Sequence, residues 1–146
     1  MTDDPTGGAL DTWSGHPRVH TIELSKAVDA CLRAEQAATA CADACLAERD
    51  VTAMRACIAN DIQTAELCVA TARTLGRRHT ADHFVTQRLL QACIRACTLS
   101  AAECERHAGE HPHCELCAHA CGECAKACEP LLDERLLEEL REIAGR

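Results

Sequence analysis

Small apolar side chains recur along the chain at steps of three and four residues, the spacing that returns a side chain to one face of an α-helix. From Thr21 to about Glu48 the repeating positions are Leu24, Ala27, Cys31, Ala34, Ala38, Cys41 and Cys45, which predicts a first long helix. A short break at Glu48-Arg49-Asp50 follows, with Asp50 placed to accept a hydrogen bond from the first-turn amides of a second helix that runs to about Leu75. Gly76 ends it. Thr80 is the expected N-cap of a third helix from about Ala81 to Ala108, which Gly109 closes. Pro112 suits the first turn of a fourth helix, lasting until Glu129 just before Pro130. A last segment, Leu131 to Ile143, carries Leu132, Leu136, Leu140 and Ile143 on one face with Glu and Arg between them. It reads as a short amphipathic helix docked on the bundle or on a neighbouring subunit.

Connections this short between long helices force antiparallel neighbours. The expected fold is therefore all-α: an antiparallel up-down four-helix bundle with a short C-terminal amphipathic helix. Residues 1–19, with Pro5, Gly7, Gly8, Gly15 and Pro17 and no periodicity, read as a flexible, disordered N-terminal tail. Residues 20–146 form the single bundle domain. Trp13 and Phe84 are the only aromatic residues, so the interior must be built from Ala, Leu, Ile, Val and Cys. Ala has the highest helix propensity and lets helix axes approach closely.

A formal charge of -8 argues against nucleic acid as a partner, since phosphate binding needs clustered Lys and Arg. No apolar run approaches the ~18 residues of a membrane span, and residues 1–20 lack both the basic and the apolar part of a secretory signal. A cytoplasmic protein is expected. Thiols stay reduced there, so heavy cysteine usage reads as metal binding before disulfide formation.

The thirteen cysteines obey the helical spacing. Cys114, Cys117, Cys121, Cys124 and Cys128 step 3-4-3-4 along the fourth helix; Cys31, Cys41 and Cys45, then Cys57 and Cys68, then Cys93, Cys97 and Cys104 mark the other three. At ~100° per residue the thiols of each helix lie within an arc of about 80°, and all four arcs can face the bundle axis together. Residues three or four apart have Cβ atoms ~5 to 6 Å apart, so two thiolates of one helix can converge on one ion. Soft thiolates select Cu(I), Zn(II) or iron-sulfur clusters. Zinc wants about four tetrahedral ligands, usually supplied by turns, whereas Cu(I) accepts two or three and suits a file of pairs. The spacing favours Cu(I), with a zinc or cadmium thiolate buffer of metallothionein type as the alternative. The Cys114–Cys128 run echoes ferredoxin spacing, but ferredoxin ligands come from irregular loops and this segment reads helical. One buried cysteine is ordinarily a small hydrophobe; thirteen in phase are not explained that way.

Further candidate ligands gather where the first and third connections meet. Met54 leads the thiol arc of the second helix, the arc of the third leads to His107 and, with the turn extended, to His111, and His113 gathers at the same end. Imidazole and thioether are neutral copper ligands, suited to passing an ion inward. Asp61 lies on the thiol arc of the second helix, where an unpaired carboxylate is costly, so it is hydrogen-bonded or beside a cation. His79 and His83 belong to the opposite end, and His119 points away from the stripe. Val51, Ile58, Ile62 and Val69 form a second apolar stripe on the second helix, which suggests a homo-oligomer. No nucleophile, base and orienting group fall into a catalytic pattern, so an enzyme is not expected.

Cys41-Ala-Asp-Ala-Cys45, Cys93-Ile-Arg-Ala-Cys97-x6-Cys104 and the Cys114–Cys128 run after a His-rich turn resemble, as a set, the cytosolic branch of the bacterial copper storage proteins. The resemblance spans about residues 20–143. It implies many Cu(I) ions held by thiolates in a preformed bundle, a homotetramer, and a role in storage or detoxification. A donor or acceptor, either a copper chaperone or a small thiol, is a possible partner. The second helix carries only two thiols, so a capacity below that of the most cysteine-rich relatives is expected.

Overall fold

The computed structural model describes residues 18–77 and 79–146. Helix α1 spans Arg18–Leu46, a 3-10 turn Thr52–Met54 leads into α2, Arg55–Leu75, and α3 runs over His83–Glu105. Helix α4, Pro112–Cys128, passes through a second 3-10 turn, Glu129–Leu131, into α5, Glu134–Ala144. Each of α1 to α4 packs chiefly on its two neighbours in the ring α1-α2-α3-α4, and α5 lies against α3. This is the expected antiparallel four-helix bundle. Of the expected tail, residues 1–17 lie outside the described residues, while Arg18 and Val19 already belong to α1.

Helix ends depart from the sequence expectation where backbone amides find other partners. Asp50 Oδ1 accepts from Ala53 N at 3.1 Å, as expected, and so caps the 3-10 turn that precedes α2. Thr80 is not the N-cap of α3. The amides of Thr80 and Ala81 both bond back to the Arg77 carbonyl, at 3.2 and 2.9 Å, so the helix starts later, and Asp82 caps it by accepting from Val85 N at 2.9 Å. Helix α3 ends at Glu105, three residues before the expected Ala108, because Arg106, His107 and Ala108 turn to bonds with carbonyls three residues back.

Ala27, Ala34 and Ala38 are fully buried on α1, which keeps the helix axes close around a narrow centre. Among the described residues, the end bounded by the start of α1 and the end of α4 is filled by leucines: Leu24, Leu75, Leu90, Leu132 and Leu136 are all buried there. Gln87 straps that end. Its side chain donates to the Leu131 carbonyl at 2.9 Å and accepts from Asp133 N at 2.8 Å, while Gln91 donates to the Leu136 carbonyl at 3.1 Å and Arg88 pairs with Glu139 at 3.0 Å. Among the described residues no helix is long and apolar enough to cross a membrane.

Candidate metal centre

All thirteen cysteines are free thiols and none is more than 1% exposed. The arcs read from the sequence do converge on one axis. At the end shared by the α1-α2 and α3-α4 connections, the thiols of Cys41, Cys45, Cys57 and Cys114 lie within 4.8 Å of one another, and so do the ligand atoms of Cys41, Cys57, Asp61 and Cys104. Deeper in the bundle, Cys68, Cys93, Cys97 and Cys124 form a third such group and Cys31, Cys93, Cys124 and Cys128 a fourth. Cys117 and Cys121, 3.9 Å apart, lie between the two halves, Cys117 facing Asp61 and Cys121 facing Cys97. The isolated cysteines find partners across the bundle: Cys57 with Cys104 at 3.4 Å, Cys68 with Cys97 at 3.6 Å, and Cys31 with Cys124 and Cys128 at 3.6 and 3.7 Å.

The groups overlap. Cys41 and Cys57 belong to both outer sets, and Cys93 and Cys124 to both inner ones. Isolated four-ligand sites cannot fill two sets that share ligands, so shared thiolates must bridge adjacent ions, and thirteen thiols serve more ions when each ion needs only two or three of them. The interior therefore suits a connected file of soft ions better than isolated four-sulfur sites.

Burial, and then the charge of Cys57, pushes the Cys45 thiol up to about 12. The hydrogen bond with Cys104 is the first cause that raises Cys57, to about 11. Burial likewise raises Cys114. These groups hold their protons at neutral pH until a metal displaces them. Asp61 is fully buried yet satisfied: its carboxylate accepts from Ser100 Oγ at 2.8 Å and faces the thiols of Cys117, Cys104 and Cys57 at 3.4, 3.6 and 3.7 Å.

His113 closes this end. Pro112 starts α4 at its first turn, with His111 as the extended N-cap, and this places the His113 ring over the outer thiols. Its Nδ1 lies 3.6 Å from Cys41 Sγ, 3.8 Å from Cys45 Sγ and 3.6 Å from Cys114 Sγ. On the other side Glu48 Oε1 sits 3.1 Å from His113 Nε2 and 3.2 Å from His111 Nδ1. The hydrogen bond from His113 is the first cause that holds the Glu48 carboxyl below its ordinary range. His107 is part-buried and pairs with Glu103 at 3.3 Å; its ring centroid is 6.4 Å from that of His111. Met54 is buried in the core cluster at the head of α2. His83 is at the opposite end beside Asp133, and His119 is exposed. Sequence reasoning missed Glu48, Glu103 and Ser100. Glu48 lies in a turn with no periodicity, and the other two were ordinary polar positions on a helix.

Known proteins share both the pattern and the bundle. The sequence profile of the copper storage protein family, Csp, matches residues 20–133. The copper storage protein Ccsp from Streptomyces lividans, in a structure loaded with 10 copper equivalents, is 42% identical, with a TM-score of 0.83 over 87% of this chain and 97% of that one. A structure of copper loading to a cytosolic copper storage protein from the same organism, with five coppers, is 45% identical, with a TM-score of 0.77 over 80% of this chain and 97% of that one. The uncharacterized cysteine-rich protein YhjQ of Bacillus subtilis (strain 168) is 27% identical over 104 residues, 71% of this chain and 91% of that protein. The chain belongs to the copper storage protein family.

Proposed function

We propose that this protein stores Cu(I) in the cytosol, binding many cuprous ions through the thiols that line the bundle and thereby buffering copper and limiting its toxicity. The observation that carries this reading is the overlap of buried four-ligand groups along one axis, built from eleven of the thirteen free thiols and Asp61, with Cys117 and Cys121 lying between them. A file of shared thiolates holds a file of monovalent ions and leaves few positions for water or oxidant to reach. Storage needs no catalytic group, and the protein acts as a sink, not an enzyme.

In this reading ions enter at the end where His107, His111 and His113 meet Met54 and the outer thiols. Each ion displaces thiol protons and passes inward through the pair Cys117 and Cys121. Asp61 offers a carboxylate oxygen to the outer group and balances cationic charge there. The deep groups around Cys31, Cys68, Cys93 and Cys124 fill from the same side, because the opposite end is packed with leucines. A small thiol or a copper chaperone serves as donor.

Anaerobic titration with a cuprous salt against a competing chelator tests the proposal. Saturation near one ion per thiol or above supports it, and zero to two ions per chain rejects it. Four-sulfur groupings also suit zinc, and the same titration separates the two: zinc saturates near one ion per four thiols.

Self-association into a homotetramer is part of the proposal. Between α1 and α2 lies a groove of about 580 Å³ lined by Leu46, Ile62, Ala65 and Val69, with Leu46 and Ile62 more than half or half exposed, at 58% and 50%. Ile62 and Val69 belong to the second apolar stripe of α2, while Ile58 packs on the core. Sedimentation should give four times the chain mass of 15.7 kDa; a monomer at micromolar concentration would reject this part.

A further inference from the structure

We propose that Glu48 is a positioning residue that fixes the tautomers of His111 and His113, so that their lone pairs form two successive steps of the copper entrance. The inference rests on the storage reading for its purpose, but its geometry stands alone. One carboxylate oxygen, Glu48 Oε1, lies 3.1 Å from Nε2 of His113 and 3.2 Å from Nδ1 of His111. A carboxylate has only lone pairs to offer. The His113 contact has hydrogen-bond geometry, so its Nε2 carries the proton; beside His111 the carboxylate stands at ion-pair distance, where it attracts an N–H and repels a lone pair. Which nitrogen of a neutral imidazole is free to bind metal is set by the hydrogen bond that the other makes.

The two rings are tied through opposite nitrogens. His113 is held with its proton on Nε2, which leaves the Nδ1 lone pair aimed at Cys41, Cys45 and Cys114, 3.6 to 3.8 Å away. His111 is held with its proton on Nδ1, which leaves Nε2 as its only lone-pair nitrogen. The ring centroids are 5.4 Å apart. A soft ion taken at His111 Nε2 thus has its next nitrogen ligand already facing the thiols. Carboxylate partners of this kind orient metal-binding imidazoles and raise their basicity, and their loss typically costs ten- to a hundredfold in affinity. Glu48 reaches both rings because α1 has already ended: its amide bonds to the Cys45 carbonyl at 3.2 Å, and the turn leaves the side chain beside the start of α4.

Nitrogen-15 NMR of the histidines in the metal-free full chain at neutral pH reads the tautomers directly. His111 is the sensitive reporter, since a free imidazole side chain prefers the proton on Nε2. Wild type should show Nδ1–H for His111 and Nε2–H for His113. Glu48→Ala should return His111 to the Nε2–H form and slow loading of the first cuprous equivalents from a chelated donor about tenfold, with total capacity unchanged. Glu48→Gln keeps an acceptor oxygen and should restore most of both. Nε2–H at His111 in the wild type, or tautomers and loading rate unmoved by Glu48→Ala, would overturn the proposal. Failure of the storage reading would instead show as lost total capacity in the wild type, with the tautomer assignment still readable.

Discussion

Raising the pH should tighten cuprous binding steeply, and the slope follows from the state of the thiols. Cys57 is pushed up to about 11 and Cys45 to about 12, and Cys114 is raised as well. At pH 7 to 8 all three are protonated in the metal-free protein, so a cuprous ion must displace one proton for each thiol that it takes. Each displaced proton makes the apparent affinity rise about tenfold per pH unit. An ion held by two thiols that it does not share gains about a hundredfold between pH 7 and pH 8, and one held by bridging thiolates about tenfold. The first ions should therefore show the steeper dependence, and the average over a full load the shallower. The sign is fixed: protons are bound before loading and free after it, so acid opposes binding. Competition against a chelator whose own protonation is constant across that window measures the affinity, and proton release into weakly buffered solution counts the protons, one to two per copper. A change of less than about threefold over the unit, with no protons released, would mean that the thiols are already ionised or are not the ligands.

The same raised thiols make the metal-free fold sensitive to alkali. Their protonated forms are favoured in the folded chain, so that contribution is complete below the ordinary thiol range near 9 and is lost as pH rises through about 11 to 12. Thermal melts of the apo protein should hold level up to about pH 8 and fall beyond it; a rise above pH 9 would contradict this. Leu90, 1% exposed, packs in the leucine-filled end and offers no ligand, and Leu90→Ala should cost about 2 to 5 kcal/mol in denaturant unfolding of the apo protein without changing copper capacity. Gln87→Leu removes the partners of the Leu131 carbonyl and the Asp133 amide and should cost about 2 kcal/mol, with faster hydrogen exchange in α5. Circular dichroism of the apo protein should be strongly helical, because the Ala and Leu contacts form without metal; a coil spectrum would refute a preformed bundle.

What the sequence disclosed depended on periodicity. Thirteen thiols in phase placed themselves on the axis because helical spacing is a property of consecutive residues, and Cys57 facing Cys104 follows once α2 and α3 are adjacent. Asp61 was legible for the same reason, as a carboxylate on a buried arc. Its partner Ser100 was not, since a serine on a helix looks alike whether it faces a carboxylate or water. Helix starts were less secure. Thr80 and Asp82 are both good caps, and only the bonding of two amides to the Arg77 carbonyl decides for Asp82. Glu48 was invisible as a candidate because its contacts with His111 and His113 arise from where a turn leaves one side chain against another turn some sixty residues on.

The two ends of the bundle differ in a way that constrains any account of release. At one end, part-buried imidazoles and a carboxylate stand between solvent and the outer thiols. At the other, Leu24, Leu75, Leu90 and Leu132 pack beneath a strap held by Gln87, and none of these side chains offers a ligand to a soft ion. An ion beside Cys31 or Cys128 that left toward the leucines would give up two or more thiolates among apolar side chains that replace none of them. Moving back through Cys121 and Cys117 exchanges one sulfur for another at each step. Loading and release in the proposed function therefore share the histidine end, and the ions bound deepest are the last to leave.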